Sequence, residues 1–378
     1  MTATLRVMLD QLTAPTDADL ATASRQLALA LIESAPQGCE VEGIIPSAAE
    51  EAFAAASLPG LASVHRTALA RREMAAALQL GTAAGIGDGM IHSATLLAPL
   101  VKHDRLHDND QTVVTLWDLR PWETPEELPR TSVAWHRAML KRAVRHADAV
   151  VVPTHTIAER LAEIAPLRER IRVVTGAAPA DLHVPTDEVG RRRDLGLPDG
   201  FVLLAGGTAE SDALATGLGA VAASALDIPV VVIDAGEGDE PAIADLAAAS
   251  GLPERRLHVR GSLEVANRAA VFAGAVAFVA PSRRSSFPWR VLDALTLGVP
   301  LIAADSPVHR EIVVDGGMLA GGDDASPDGD RDRLAFALMQ ALESTTAVER
   351  LGVLAADRGR VFSWREAAER VWQLHADL

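Results

Sequence analysis

Short apolar runs rich in β-branched residues alternate along the chain with longer segments rich in alanine, leucine, arginine and glutamate. The apolar runs predict strands buried on both faces, and the longer segments predict helices between them. The predicted strands are Leu5–Leu9, Glu40–Ile45, Met90–His92, Val113–Leu116, Ala149–Val152, Ile171–Val174, Phe201–Ala205, Pro229–Ile233, Leu257–Val259, Ala277–Val279 and Leu301–Ala303. The predicted helices include Asp19–Glu33, Arg130–Arg145, Thr156–Ala165, Leu263–Ala273, Arg290–Leu297 and Trp364–Leu378.

The alternation of strands and helices occurs in two series. A segment with three prolines and several charges, Gly176–Asp199, separates them, and a new strand follows at Phe201. Two such series predict an α/β protein of two doubly wound parallel-sheet domains, each with its site at the carboxyl ends of its strands. We expect an N-terminal domain over residues 1–183 and a C-terminal domain over residues 184–361. The Asp- and Gly-rich segment Gly321–Arg333, with its Asp328-Gly329-Asp330, is expected to be an exposed loop.

Composition narrows the classes of function. The chain has 378 residues, of which 49% are hydrophobic and 23% charged, and this balance excludes a mainly disordered protein. Its formal charge of −16 argues against general binding of nucleic acid. The one cysteine, Cys39, excludes an intramolecular disulfide and a cysteine-cluster zinc site. The lysines are only Lys102 and Lys141, so a Gly-Lys-Ser/Thr phosphate loop is excluded. The histidine spacing predicts no metal site.

No segment of the sequence predicts a leader or a membrane span. Met1–Asp10 reads as a strand without a basic, then long apolar, leader pattern. The longest apolar run, Ala269–Ala280, is well short of the ~18 residues that indicate a spanning helix. We therefore expect a soluble, cytoplasmic protein in a reducing compartment.

The most specific block of sequence follows the predicted strand Ala277–Val279. It runs Pro281-Ser282-Arg283-Arg284-Ser285-Ser286-Phe287-Pro288-Trp289, enters a helix that carries Asp293, and continues through Gly298-Val299-Pro300 to the next strand and Arg310-Glu311. In order, this block resembles the donor-site core of the family 4 retaining glycosyltransferases, which have the GT-B fold. The turn before the helix suits a nucleotide diphosphate, because backbone N–H groups and the helix dipole meet there.

The resemblance extends over most of the chain in order. It includes Leu203–Gly207, Val259–Ser262, Val113–Leu119, His146–Thr154 and Phe362–Trp364. It implies two domains that face an interdomain cleft, with the C-terminal helix, residues 362–378, packing back onto the first domain. It also implies a retaining, metal-independent glycosyltransferase of the hexosyltransferase type without a cofactor. The expected donor-binding residues are Gly206, Gly207, Gly261, Ser262, Arg283, Arg284, Ser285, Ser286, Phe287 and Asp293.

The expected substrates follow from the same resemblance. The donor is a nucleotide-diphosphate sugar, and the acceptor is a glycan, a lipid or a small molecule that enters near Thr13–Asp17, His92 and the expected catalytic residues Trp117 and Asp118. No nucleic-acid partner is expected. Peripheral membrane contact, a homodimer and a partner glycosyltransferase stay open.

Several positions depart from the family pattern. The two donor-site glutamates fall on Ser285 and Asp293, and the histidine near the reacting sugar falls on Trp117. The basic pair that neutralises the diphosphate falls on Gly207 and Asp212. Losing one such donor typically costs ~2.7–4 kcal/mol in the transition state.

Arginines near the predicted turn offer compensation for the missing basic pair. They are Arg283, Arg284 and Arg290, and they can take this role only if they point towards the donor. Two readings therefore remain: an active glycosyltransferase, or a catalytically weakened or inactive glycosyltransferase-like partner or binding protein.

Overall fold

A computed structural model describes residues 3–82, 84–104, 109–322 and 326–378. The chain divides into two compact units. The first comprises residues 1–176, 285–287 and 363–378, and the second comprises residues 177–284 and 288–362. The division therefore falls after Gly176 rather than after residue 183, and the first unit also takes in a three-residue segment from the second half of the sequence.

In the described part of the first unit, a seven-stranded parallel sheet has the order β3-β2-β1-β4-β5-β6-β7. Its strands are β1 Ala3–Met8, β2 Cys39–Ser47, β3 Ser63–Ala70, β4 Met90–Ser93, β5 Gln111–Thr115, β6 Ala149–Val152 and β7 Ile171–Val173. Its helices are α1 Asp10–Thr13, α2 Ala18–Glu33, α3 Glu50–Ala56, α4 Arg71–Leu80, α5 Arg120–Glu123, α6 Arg130–His146, α7 His155–Ile164 and, from the end of the chain, α16 Trp364–Asp377.

In the described part of the second unit, a six-stranded parallel sheet has the order β10-β9-β8-β11-β12-β13. Its strands are β8 Phe201–Ala205, β9 Val230–Ile233, β10 Leu257–Val259, β11 Ala275–Ala280, β12 Leu301–Ala304 and β13 Met318–Ala320. Its helices are α8 Glu188–Asp194, α9 Leu214–Ala223, α10 Glu240–Ala249, α11 Val265–Gly274, α12 Trp289–Leu297, α13 Pro307–Val313, α14 Pro327–Ala341 and α15 Thr345–Gly359.

Each sheet reverses its direction of growth once. In the first sheet the reversal lies between β1 and β4, which pair in register from Leu5 opposite Met90. In the second sheet it lies between β8 and β11, where Phe278 pairs with Leu203. In doubly wound sheets, ligands bind outside the carboxyl ends of the strands at such a reversal. The two strand ends therefore define where a site is sought in each unit.

Helix α16 packs within the first unit against α2. The Oγ atom of Ser363 accepts a hydrogen bond from the Glu366 N–H and so caps the start of the helix. The indole Nε1 of Trp372 donates to the backbone oxygen of Leu31 at 3.1 Å. No helix in the described residues is both long and apolar enough to cross a membrane.

The expected loop Gly321–Arg333 is wrong from Pro327 onwards, where α14 begins; its residues 323–325 lie outside the described part. The Oγ atom of Ser326 accepts from the Gly329 N–H, which starts the helix inside the Asp/Gly-rich stretch. Asp330 is buried rather than solvated, because it pairs with Arg283 and with Arg333.

Candidate functional site

A cavity of 550 Å³ opens in the first unit at the carboxyl ends of β1, β4 and β5. It therefore lies at the reversal of the first sheet. Its wall includes Thr115–Asp118 at the end of β5, residues of α4 and α6, and Thr95 after β4. The Oγ1 atom of Thr115 is buried and has no hydrogen-bond partner in the described part of the chain. An unpaired buried hydroxyl in a cavity wall favours a polar ligand or water at this position.

Arg71, which lines this cavity, pairs with a buried carboxylate behind the wall. The carboxylate of Asp10, 1% exposed, accepts from the Arg71 Nε at 2.8 Å and from the Gln11 Nε2 at 2.8 Å. Burial raises the pKa of Asp10, and the Arg71 guanidinium opposes that rise. Arg72, the next residue on α4, is exposed and also lines the cavity. The cavity thus offers an exposed guanidinium beside a pair that is already neutral.

Aromatic side chains from α6 face the same cavity. Trp135 and His136 both line it, with ring centroids 4.9 Å apart. The His136 Nδ1 lies 2.8 Å from the backbone oxygen of Ser132, so this nitrogen carries the proton. Burial lowers the pKa of His136, which keeps the ring neutral with Nε2 as an acceptor. A neutral imidazole of this kind can accept a hydrogen bond from a hydroxyl group of a ligand.

The structure places the expected catalytic residues at the end of β5. Trp117 is 7% exposed, and its Nε1 donates to the backbone oxygen of Ala94 at 2.9 Å. Because the indole N–H is occupied, Trp117 presents only its ring to the cavity. The Asp118 carboxylate accepts from the Arg120 backbone N–H at 3.0 Å and from the Arg120 guanidinium at 2.9 Å.

Three of the expected donor-binding residues, Ser285, Ser286 and Phe287, lie in the first unit. The backbone of this segment pairs with the residues after β5. The Phe287 N–H donates to the Trp117 oxygen at 3.0 Å, and Ser286 forms an antiparallel bridge with Asp118. The Phe287 ring packs 5.5 Å from that of Trp117. The first unit therefore joins these three residues to the expected catalytic pair.

The other expected donor-binding residues lie in the second unit. Gly206 and Gly207 follow β8 at the reversal of the sheet, and Gly206 has a φ of 133°, which favours glycine. The Gly207 N–H donates to Asp212 Oδ2 at 2.8 Å. Asp212 also forms an ion pair with Arg284, which follows β11. The two loops at the reversal are thus joined through one carboxylate.

Asp293 on α12 belongs to a buried network of ion pairs. It is 1% exposed, and its Oδ2 lies 2.9 Å from the Arg268 Nε and 3.2 Å from an Arg290 nitrogen. Arg290 also donates from Nε to Asp234 Oδ2 at 2.6 Å. Two arginines and two aspartates therefore balance in charge. A role for Asp293 in binding ribose stays a prediction.

Each of the three arginines named for compensation contacts an aspartate of the chain. Arg284 pairs with Asp212, Arg290 with Asp234 and Asp293, and Arg283 with Asp330 at 2.6 Å. Gly261 and Ser262 follow β10, where the Asp234 N–H donates to the Gly261 oxygen at 3.3 Å and Ser262 is exposed.

His92, which was expected near the acceptor, lies in the interior of the first unit. It is fully buried in β4, and its Nδ1 lies 3.3 Å from the His375 Nε2. It does not line the 550 Å³ cavity, whereas Thr16, Trp117 and Asp118 do. Among the described residues, no cluster of three or more histidine, cysteine, aspartate or glutamate side chains can hold a metal ion.

The sequence pattern did not indicate five residues in or beside the cavity, namely Asp10, Arg71, Arg72, Trp135 and His136. Asp10 directly follows β1, and this position alone marks it as a candidate, because strand ends line such sites. The other four lie on helices, and their approach to the cavity depends on packing. Strand β3, which precedes Arg71, was not predicted either, so no element placed the two arginines.

Part of the second half of the chain matches a known protein family. Residues 201–344, which begin with β8, match the family model described as glycosyl transferases group 1. The phosphatidyl-myo-inositol mannosyltransferase of Mycobacterium leprae (strain TN) is 29% identical over 154 residues, which are 39% of this chain and 38% of that protein. The chain thus matches less than half the length of this curated relative. These findings confirm the resemblance to glycosyltransferases.

Solved structures of similar fold cover nearly the whole chain. Sucrose-phosphate synthase from Thermosynechococcus elongatus aligns with a TM-score of 0.70 at 18% identity, covering 99% of this chain and 98% of that one. HepE from Anabaena, solved with UDP-glucose, aligns with a TM-score of 0.70 at 15% identity, covering 99% of this chain and 100% of that one. At these identities the likeness shows the fold. The GT-B fold class predicted from the sequence is confirmed.

Proposed function

We propose that this protein is a glycosyltransferase that moves a sugar from a nucleotide-diphosphate sugar to an acceptor hydroxyl in the cytoplasm. The observation that carries the proposal is the match of residues 201–344 to group 1 glycosyl transferases. That match includes the reversal of the second sheet, where Gly206, Gly207 and Arg284 meet around Asp212. Backbone N–H groups and guanidinium groups at such a position suit phosphate oxygens.

The donor in this proposal binds to the second unit. Its diphosphate lies at the Gly206-Gly207 turn and contacts Arg283 and Arg284, which in the structure pair with Asp330 and Asp212. Its nucleoside lies along Gly261 and Ser262, with Asp293 towards the ribose. The structural neighbour HepE was solved with UDP and with UDP-glucose, which supports a donor of this class.

The acceptor in this proposal binds in the cavity of the first unit. The volume of 550 Å³ lies in the range of about 300–1,000 Å³ that is usual for small-molecule sites. The rings of Trp117 and Trp135 suit the apolar face of a sugar or another ring, and the neutral His136 suits its hydroxyl. A glycan end, a lipid headgroup or a small molecule with a hydroxylated ring fits these walls.

The proposed reaction retains the anomeric configuration and uses no metal. The bond between the anomeric carbon and the diphosphate oxygen breaks, and the acceptor oxygen bonds to the same face of the sugar. The leaving diphosphate takes the proton of the acceptor hydroxyl. The chain supplies positioning and charge, which commonly contribute most of the acceleration in such reactions.

A turnover assay tests this proposal. Wild-type protein is incubated with a panel of nucleotide-diphosphate sugars and with hydroxylated acceptors, with and without EDTA, and release of nucleoside diphosphate is measured. We expect release with one donor in the panel, unchanged by EDTA, and NMR of the product should show the anomeric configuration of the donor. No release with any donor contradicts the active reading, and an inverted product contradicts retention.

The second candidate function is that of a catalytically weakened or inactive glycosyltransferase-like partner or binding protein. The ion pairs of Arg283, Arg284 and Arg290 favour it, because each guanidinium already contacts a carboxylate of the chain. Binding of nucleoside diphosphate without turnover identifies this candidate.

A further inference from the structure

One carboxylate of the chain, that of Asp212, contacts two hydrogen-bond donors at the reversal of the second sheet. The Asp212 Oδ2 accepts from the Gly207 N–H at 2.8 Å, and the Oδ1 pairs with the Arg284 guanidinium. A backbone N–H at a strand end together with an arginine is a combination of donors that typically binds a phosphate oxygen. One side chain therefore uses both donors at once.

The local backbone is shaped to admit this side chain. A Cβ atom on Gly206 would lie 3.2 Å from the Asp212 Cβ and 3.3 Å from its Cγ, so the glycine lets the carboxylate approach the turn closely. Ser282, which precedes Arg284, donates from Oγ to the Ser211 oxygen at 2.7 Å and ties the two loops together. The absence of a side chain at Gly206 and the hydrogen bond of Ser282 therefore both favour the contact of Asp212 with the turn.

The charge balance at the turn opposes a diphosphate. A Cβ atom on Gly207 would lie 3.7 Å from Asp212 Oδ2 and 3.6 Å from Asp239 Oδ2, so two carboxylates flank this residue. Arg284 is the cation paired to one of them. A diphosphate that entered beside both carboxylates would be repelled, whereas one that replaced Asp212 would gain the Gly207 N–H and the guanidinium.

We infer that the Asp212 carboxylate stands in for a donor phosphate, and that a diphosphate binds here by displacing it from Gly207 and Arg284. Asp212 is therefore a residue that sets the affinity of the site for diphosphate, not for the nucleoside. The inference rests on the proposed function only in naming the donor as the natural ligand. The anion site itself consists of the Gly207 N–H and the Arg284 guanidinium, which both belong to the second unit.

The test compares two aspartates at the same turn. Asp212→Asn removes the charge at the proposed phosphate position, and Asp239→Asn removes an equal charge beside it without breaking the contacts to Gly207 and Arg284. Inorganic pyrophosphate, a panel of nucleoside diphosphates and the matching nucleosides are titrated calorimetrically into each full-length variant. Circular dichroism checks that each variant is folded.

We expect Asp212→Asn to bind pyrophosphate at least about tenfold more tightly than wild type, equivalent to about 1.4 kcal/mol. The same gain should appear for a nucleoside diphosphate and should be absent for the nucleoside. Asp239→Asn should gain less than about threefold, because it changes only the surrounding field. Adding Arg284→Gln to Asp212→Asn should abolish the gain. An equal gain in both single variants, or a gain that survives Arg284→Gln, overturns the inference.

A measurement on the wild-type protein keeps the test independent of variant folding. The amide resonance of Gly207 is followed by NMR while pyrophosphate is added. Displacement of Asp212 changes the hydrogen bond of this amide and should shift its resonance, whereas an unmoved resonance at saturation contradicts the inference. If pyrophosphate behaves as expected but no nucleoside diphosphate binds, the proposed function fails while the role of Asp212 stands.

Discussion

Two imidazoles in the interior of the first unit, those of His92 and His375, form a chain with Gln111. The His375 Nδ1 lies 2.8 Å from the Gln111 Oε1 and therefore donates to it, which leaves Nε2 to accept from the His92 Nδ1 at 3.3 Å. Burial lowers the pKa of His375 to about 4 and holds that of His92 well below its usual value, with repulsion from His375 adding to the effect. Both rings are neutral in the folded protein.

These histidines predict a loss of stability in mild acid. The unfolded chain takes up their protons near pH 6.5, whereas the folded chain resists until about pH 4 for His375. The stabilisation is complete above pH 6.5 and is lost as the pH falls towards the folded pKa. For His375 the resulting decrease in the free energy of unfolding is about 3 kcal/mol. Urea unfolding followed by tryptophan fluorescence at several pH values measures this slope.

His375→Gln is the variant that isolates this effect. It should be less stable than wild type at pH 7 but should lose less stability between pH 6.5 and pH 4.5. His183, which is exposed, supplies the control His183→Gln, whose profile should follow that of wild type. Parallel profiles for His375→Gln and wild type would show that His375 does not resist protonation in the folded chain.

At the residue scale, the sequence indicated candidate site residues but not the residues that contact them. The order of motifs singled out Arg284 and Asp293, but it did not show that Arg284 pairs with Asp212 or that Asp293 pairs with Arg268. The pairing of Arg284 with Asp212 joins residues that lie far apart in sequence, so only folding brings them together. Spacing along the chain carries no information about such pairs.

At the scale of elements, helix α16 anchors the end of the described chain to the first unit. Trp372 is 7% exposed and donates a hydrogen bond to Leu31 on α2. Trp364, at the start of the helix, packs with its ring centroid 6.3 Å from that of Trp117. The helix therefore contributes to the environment of the expected catalytic tryptophan as well as to the core.

Substitution of Trp372 tests the contribution of this helix. Trp372→Ala should lower the free energy of unfolding by about 3–5 kcal/mol, because it opens a cavity between α16 and α2. Trp372→Phe keeps most of the packing and removes the hydrogen bond to Leu31, so it should cost less. Gln373→Ala, on the exposed side of the same helix, should change stability by less than about 0.5 kcal/mol. Equal effects of the Trp372→Ala and Gln373→Ala changes in chemical denaturation would contradict this packing.

The two strands that the sequence missed, β3 and β13, are polar or short. Strand β3 carries His65, Arg66 and Thr67 and pairs only with β2 at the edge of the sheet, so it lacks the apolar run of a central strand. Strand β13 has only three residues. Strands β6 and β8 are apolar throughout, and both were predicted at the bounds that the structure shows, Ala149–Val152 and Phe201–Ala205.

At the scale of the whole molecule, the fold follows from the repeated alternation of strands and helices, which the sequence shows twice. The charge of −16 and the ion pairs of the second unit do not follow from that alternation. They decide whether an anionic donor binds, because arginines that are bound to aspartates attract phosphate less strongly than free ones. The function proposed above nevertheless requires that the second unit binds a nucleoside diphosphate at the Gly206-Gly207 turn.

Thermal unfolding with and without a panel of nucleoside diphosphates tests that claim most directly. Wild type should be stabilised by one member, and a ligand at about 100 times its dissociation constant adds about 2.7 kcal/mol. Gly207→Asp adds a carboxylate at the turn and should weaken binding at least about tenfold, whereas Gly190→Asp, whose Cβ meets no neighbour, should bind as wild type does. Clearly smaller stabilisation of Gly207→Asp than of wild type and Gly190→Asp at the same ligand concentration supports binding at this turn. Absence of stabilisation by every nucleoside diphosphate, or equal binding in all three proteins, contradicts it.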